Sequence, residues 1–211
     1  MSQNTTTGTT VRPSSHGIRL QGHEPVRSVA LVAVFAALIV VAAIVPGIPV
    51  GSLGVPITLQ TLAVMVAGLS LGAVRGSLAV LLYLALGFAG LPVFSGGRSG
   101  LQVMTTPSAG YLFAFALAAF VVGLAAQQVL ARTRASRRVP LFFIAAMSTS
   151  ILFVHTLGVL GIAVMADVPL SAAFQADLAF YPGDIIKNVV AAVAAAAIHR
   201  AFPDILVRRV R

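Results

Sequence analysis

The 211 residues include no cysteine, which excludes disulfides and thiolate metal centres and leaves the redox compartment unmarked. Charge is almost as scarce, since Asp, Glu, Lys and Arg together make up 9% of the chain. Soluble domains carry about 25% charged residues, so this chain lacks the polar coat of one. It has no GxxxxGK[ST] run, and its single lysine, Lys187, does not follow a glycine-rich strand end. ATP binding of the P-loop kind is therefore excluded, and any active transport must draw its energy from another protein. His16, His23, His155 and His199 are scattered, and no HExxH or paired-carboxylate metal pattern appears. No Ser/His/Asp nucleophile can be assembled from spacing. The reading is that of a protein that is not an enzyme, with no cofactor and no metal.

What the chain does have is apolar length. Hydrophobic residues make up 58% of it, and the runs 28–74, 76–97, 99–131 and 139–166 contain no Asp, Glu, Lys or Arg. A membrane-spanning helix needs about 20 apolar residues, so each run can cross a bilayer at least once. The first run contains Pro46, Gly47, Pro49, Gly51, Gly54 and Pro56, breakers that no single helix tolerates, and so divides into two spans. With the stretch that ends the chain, the pattern predicts an all-α integral membrane protein, a six transmembrane helix bundle. Its helices fall at about 28–46, 55–72, 74–91, 109–131, 139–166 and 180–200.

Arginine placement gives an independent count. With a cytoplasmic amino terminus, twelve of the fourteen basic residues fall on the inside, among them Arg75, Arg132, Arg134, Arg137, Arg138 and Arg200. The outside loops hold Arg98 alone, which favours an N-in/C-in arrangement in the cytoplasmic membrane. The net charge of +9 is explained by topology and anionic lipid. Nucleic acid is not a partner, because the arginines flank span ends with no interleaved aromatics. Residues 1–27 read as a disordered polar cytoplasmic tail without a cleavable signal, 28–200 as the membrane domain, and 201–211 as a basic cytoplasmic tail.

Asp184 and Lys187 interrupt the final apolar segment. Three residues apart on a helix, they share a face, and charges within a span ordinarily face an interior or a water cavity and mark a function. A plain salt bridge gluing the helix in place is the alternative. Their position just after Tyr181-Pro182-Gly183, near the outer mouth, favours ligand binding, and Asn188 is expected to extend the same face. His155, in the fifth span, reads as a packed, hydrogen-bonded core histidine. Arg98, within Ser95-Gly96-Gly97-Arg98-Ser99-Gly100, runs against the charge gradient and suits a lid that meets a ligand carboxylate. The loop 46–56 is apolar, which suits a flap over an apolar ligand.

Four motifs together resemble a known family. They are Pro49 with Val55-Pro56-Ile57-Thr58-Leu59-Gln60-Thr61-Leu62; Leu82-Tyr83-Leu84-Ala85-Leu86-Gly87 continuing through Gly90-Leu91-Pro92-Val93-Phe94-Ser95-Gly96-Gly97; Pro107-Ser108-Ala109-Gly110-Tyr111-Leu112; and Tyr181-Pro182-Gly183-Asp184-Ile185-Ile186-Lys187. In order and spacing the chain resembles the BioY family, the biotin-specific substrate-binding (S) components of energy-coupling factor (ECF) transporters. The likeness runs from about residue 28 to 200. It departs where the family often has Thr-Gly-Gly-Tyr and this chain has Ser108-Ala109-Gly110-Tyr111, and in a long arginine-rich loop between helices four and five.

The resemblance implies a six-helix bundle with a buried vitamin site under outer loops. It also implies partners: a transmembrane coupling (T) protein and a pair of ABC-type ATPases, which would supply the missing P-loop. By this likeness Asp184 and Lys187 line the biotin site and Arg98 is a lid arginine. Asp184 would accept from the ureido N–H groups, while Lys187 and Arg98 neutralise the valerate carboxylate. Gln60, Tyr83 and Tyr111 lie in the matching motifs as further polar contacts, with bundle packing as their alternative. Ala33 and Ala37, with Ala30 nearby, give the small-xxx-small spacing that resembles the family's docking surface for the coupling protein. A stand-alone proton-coupled secondary transporter of a small carboxylated metabolite or another vitamin is the other reading, with Asp184 as the coupled carboxylate.

Overall fold

The structure is a computed structural model, and it describes residues 18–20, 25–50 and 54–209. Among the described residues there are seven α-helices: α1 (Pro25–Ile44), α2 (Gln60–Phe88), α3 (Ala109–Arg132), α4 (Arg138–Thr149), α5 (Thr156–Met165), α6 (Leu170–Leu178) and α7 (Tyr181–Ala201). A π-helical turn, Ser150–His155, joins α4 to α5 without a break in direction. Among the described residues five segments are long and apolar enough to cross a membrane, namely α1, α2, α3, the run Ala135–Met165 and α7. The molecule is a multi-pass helical membrane protein. In α1 only Phe35, Ala36, Ile39, Ala42 and Ala43 are buried, while Val34, Leu38 and Val41 lie exposed on the opposite side. A helix apolar all round with one buried stripe suits a partner surface on one side and lipid on the other.

The sequence predicts two spans over 55–72 and 74–91, and α2 meets that expectation in an unusual way. It is two helical arms that meet at Gly72, which has φ 79° and ψ −177°, a conformation essentially reserved for glycine. A Cβ built on Gly76 would stand 2.8 Å from the Cα of Gly68. In an unbroken helix eight residues span about 12 Å, so the chain doubles back here. The Gln60 amide donates to the Tyr83 hydroxyl across the two arms at 2.6 Å, which confirms that 60–71 and 73–88 lie side by side. The pair packs on α3 through small residues: a Cβ on Gly68 would lie 2.6 Å from the Ala119 carbonyl oxygen, and one on Gly123 2.6 Å from the Ala73 Cα. Backbones this close are what small residues permit where helices cannot be driven together by water.

Four expectations are corrected. The first helix begins at Pro25, so residues 25–27 are helical; residues 1–17 and 21–24 of the predicted tail lie outside the described residues. The second span starts at Gln60 because the stretch before it is extended: Ile48 and Ile57 exchange two backbone hydrogen bonds of 2.9 Å, which tie residues 46–50 to residues 54–58. The connector after the fifth span folds into α6. The carboxy-terminal tail is no free tail over 202–206, since Ile205 and Leu206 are buried, the Arg75 guanidinium donates to the Ile205 carbonyl at 2.6 Å, and Leu206 abuts Gly72. Beyond it β2 (Val207–Arg209) pairs antiparallel with β1 (Ile18–Leu20). His199 closes the same end, its Nε2 2.9 Å from the Leu69 carbonyl.

Candidate functional site

At the opposite end, α7 begins where Phe180 ends a turn and Pro182 occupies its first positions, as expected of a residue that needs no amide partner there. Asp184 falls in the first turn, where a carboxylate is favoured by the helix dipole. The inward stripe of α7 is Asp184, Lys187, Asn188, Ala191, Ala192, Ala195 and His199, while Ile185, Ile186, Val189 and Val190 face outward. The two charges are 3% and 8% exposed, so both have left water.

They are densely partnered. The Lys187 ammonium pairs with Asp184 Oδ1 and donates to the Thr58 backbone carbonyl at 3.2 Å. Thr61 donates its hydroxyl to Asp184 Oδ1 at 3.2 Å. The other carboxylate oxygen faces His155, whose Nε2 is 3.1 Å away but off the line of a hydrogen bond. His155 Nδ1 lies 2.9 and 3.0 Å from the two oxygens of Asp177, a fully buried residue of α6. Tyr111 donates to Asp177 at 2.6 Å, and the Tyr181 ring stacks on the imidazole with centroids 4.2 Å apart. The π-helical turn carries His155 at its end, a type of bulge found often at functional sites.

Beside this cluster is a hollow. Val55, Pro56 and Thr58 of the flap form one wall, with Gln60 and Thr61 at the start of α2. Phe94, Ser95, Arg98, Val103 and Ser108 of the connection 92–108 form another, and Tyr111, Leu112, Phe115, Phe180, Asp184 and Lys187 complete it. Its cavity volume is about 50 Å³, well below the roughly 300–1,000 Å³ of small-molecule pockets, so the loops are drawn tightly over it. The connection 92–108 is folded, with tight turns at Ser95–Gly97 and Leu101–Thr105. Arg98 is held in it, its Nε donating to the Ser95 carbonyl at 3.0 Å and its Nη2 reaching the Ser108 hydroxyl at 3.4 Å.

A family model described as the BioY family matches residues 9–204. The chain belongs to the BioY family. It is 43% identical over 195 residues to a biotin transporter BioY of Rhodobacter capsulatus, covering 87% of this chain and 98% of that one. It is 41% identical over 178 residues to the biotin transporter BioY of Rhizobium etli, covering 84% and 95%. In three dimensions it is similar to a crystal structure of the S-component for biotin from an ECF-type ABC transporter, with TM-score 0.78 and 28% identity over 86% of this chain and 95% of that one.

In this BioY-family chain the residues singled out from sequence divide into four groups. Asp184, Lys187, Arg98, Gln60 and Tyr111 line one hollow together. Tyr83 stands behind it, fully buried, accepting from Gln60 and set edge-on to Phe94 at 5.5 Å, so it orients the wall without lining it. Asn188 shares the inward stripe as expected but is not among the lining residues: its amide donates to Ser150 Oγ at 3.1 Å and meets Met147 Sδ at 3.5 Å. A position four residues along turns slightly around the helix, and here that turn aims the amide at the α4 side of the bundle. Ala33 and Ala37 are exposed on the outer face of α1.

Sequence reasoning missed Asp177 entirely. It lay in a stretch taken for a connector, although a carboxylate in the apolar run Ala176-Asp177-Leu178-Ala179-Phe180, seven residues before Asp184, was a signal of the same kind as Asp184 itself. His155 is packed and hydrogen-bonded as expected, but its partners are carboxylates. Among the described residues no group of three or more His, Cys, Asp or Glu side chains is arranged to hold a metal ion.

Proposed function

We propose that this chain captures biotin at the outer face of the cytoplasmic membrane and carries it across as the substrate-binding component of an ECF-type transporter. The observation behind this reading is the loop-covered, mainly apolar hollow in which a buried carboxylate and ammonium share one helix face with an arginine on the covering loop, in a chain of the BioY family. Biotin presents ureido N–H donors and a carbonyl at one end, an apolar fused ring, and a carboxylate at the other. Asp184 accepts from the ureido N–H groups, Lys187 and Arg98 meet the carboxylate, and Phe94, Phe115 and Leu112 hold the rings. Gln60 and Tyr111 add polar contacts.

The arms of α2 on either side of Gly72 count as two crossings, which gives six spans over 28–200 with both termini in the cytoplasm. The reversal at Gly72 and the inside placement of Arg75, Arg132, Arg134, Arg137 and Arg138 support that arrangement. Residues 1–27 and 201–211 flank this domain as a polar and a basic cytoplasmic segment. Energy comes from a T protein and ABC-type ATPases, and the exposed small-residue stripe of α1 at Ala33 and Ala37 is the docking surface. Changing Ala33 to Trp should leave biotin binding within about twofold and abolish uptake in cells that carry the energising module; unimpaired uptake would remove α1 from the coupling interface. Mass spectrometry of small molecules that copurify with the detergent-solubilised chain tests the assignment. Biotin is expected, and a different carboxylated metabolite in its place overturns it.

One observation favours a second reading, a stand-alone proton-coupled transporter: Asp184, His155, Asp177 and Tyr111 form a continuous buried chain of titratable groups. Biotin uptake by liposomes containing only this chain, driven by a proton gradient without ATP, would select it.

A further inference from the structure

The buried cluster contains two carboxylates, Asp177 and Asp184, and only one full-time cation, Lys187. Left so, it would carry a net negative charge into the membrane, where uncompensated charge is costly. His155 stands between the carboxylates, with Nδ1 against Asp177 and Nε2 against Asp184. An ionised carboxylate only accepts, and a neutral imidazole has one ring nitrogen bearing a lone pair that either carboxylate would repel. The imidazolium alone has a proton for each side. Its stacking on Tyr181 suits a cation, and His155 Nε2, buried with no other polar partner among the described residues, has the Asp184 carboxylate 3.1 Å away as the group to receive its proton.

We propose that His155 and Asp177 are positioning residues for biotin: the imidazolium is the second counter-ion of Asp184, and Asp177, anchored by Tyr111, holds it in place. This rests on the reading that the hollow binds biotin. The reason the site needs a second cation lies in Lys187, whose ammonium is shared among Asp184, the flap and the arriving carboxylate. His155 touches no lining space that Lys187 occupies and keeps Asp184 ionised and aimed while Lys187 turns to the ligand. With it the cluster is neutral, two anions against two cations.

Charge balance makes a demand that packing alone does not. His155→Gln leaves the cluster one negative charge in excess and should weaken biotin binding at least about 100-fold, the scale of breaking a buried ion pair. Adding Asp177→Asn to that variant restores neutrality, and the double variant should bind within about tenfold of the wild-type chain. Both are measured by titration of the detergent-solubilised chain with biotin, after size-exclusion chromatography. A double variant that binds no better than His155→Gln, or a His155→Gln chain that binds as the wild type does, overturns the proposal. Wild-type protein that does not bind biotin overturns the functional reading instead. If His155→Gln fails to fold, ¹⁵N resonances of the histidine rings decide on otherwise native protein. With His16 and His23 changed to Gln, one of the two remaining rings should carry protons on both nitrogens at about pH 8, where an ordinary histidine is neutral. Two neutral rings would overturn the proposal.

Discussion

Lys187→Ala should abolish biotin retention while the protein still inserts in the membrane and purifies as a monodisperse species. Removing one member of a buried pair costs about 3–5 kcal/mol because its partner is left uncompensated, which corresponds to a loss of roughly 10²- to 10³-fold in affinity. Here the loss falls on binding and not on folding, because Asp184 keeps His155 and Thr61 as partners in the empty site. A ligand carboxylate brought beside Asp184 without Lys187 would add a third anion to the cluster. Calorimetric titration with biotin, run beside a Western blot of the membrane fraction, separates the two effects. Affinity close to that of the wild-type chain would take Lys187 out of the site.

The largest effect on stability should come from Gly110→Ala. Gly110 opens α3 directly against α5, and a methyl group there would overlap the Leu157 carbonyl oxygen and come within 2.9 Å of the Gly161 Cα. Both obstacles are backbone, so no side chain can swing aside and the helices must part. Overpacking of well-filled cores costs typically 1–3 kcal/mol, and a backbone clash belongs at or above the upper end, about 3 kcal/mol. The neighbouring Tyr111 would lose its register against Asp177 as the helices separate, so biotin binding should fall together with the thermal midpoint in detergent. An unchanged midpoint would mean that α3 and α5 are less tightly apposed than their backbones indicate.

The parts of this molecule that were legible in its sequence are those set by solvent. Uncharged runs and the arginines that bound them mark where chain can lie in hydrocarbon, so the outer ends of the five long apolar segments were legible to within about five residues. Asp184 and Lys187 stood out for the same reason, as charges where hydrocarbon tolerates few. What was not legible depends on rotation and long-range contact. Asn188 shares a helix face with Asp184 to a first approximation, and only the packing of α4 against α7 shows that its amide turns to Ser150. Asp177 needed α6 to form before it could face His155 from 22 residues away. Gly72 falls at the end of the predicted span 55–72, yet nothing in Leu71-Gly72-Ala73 announces that one glycine replaces a whole loop.

The Lys187 ammonium has three protons to give, and two directions are taken, by Asp184 and by the Thr58 carbonyl just before α2. On the proposed function, the group that would meet an incoming acid also holds the covering loop through Thr58. A guest that drew the ammonium toward itself would slacken that bolt, and its departure would let it slide home. Occupancy and closure would then be coupled through a single side chain, with no separate sensor needed.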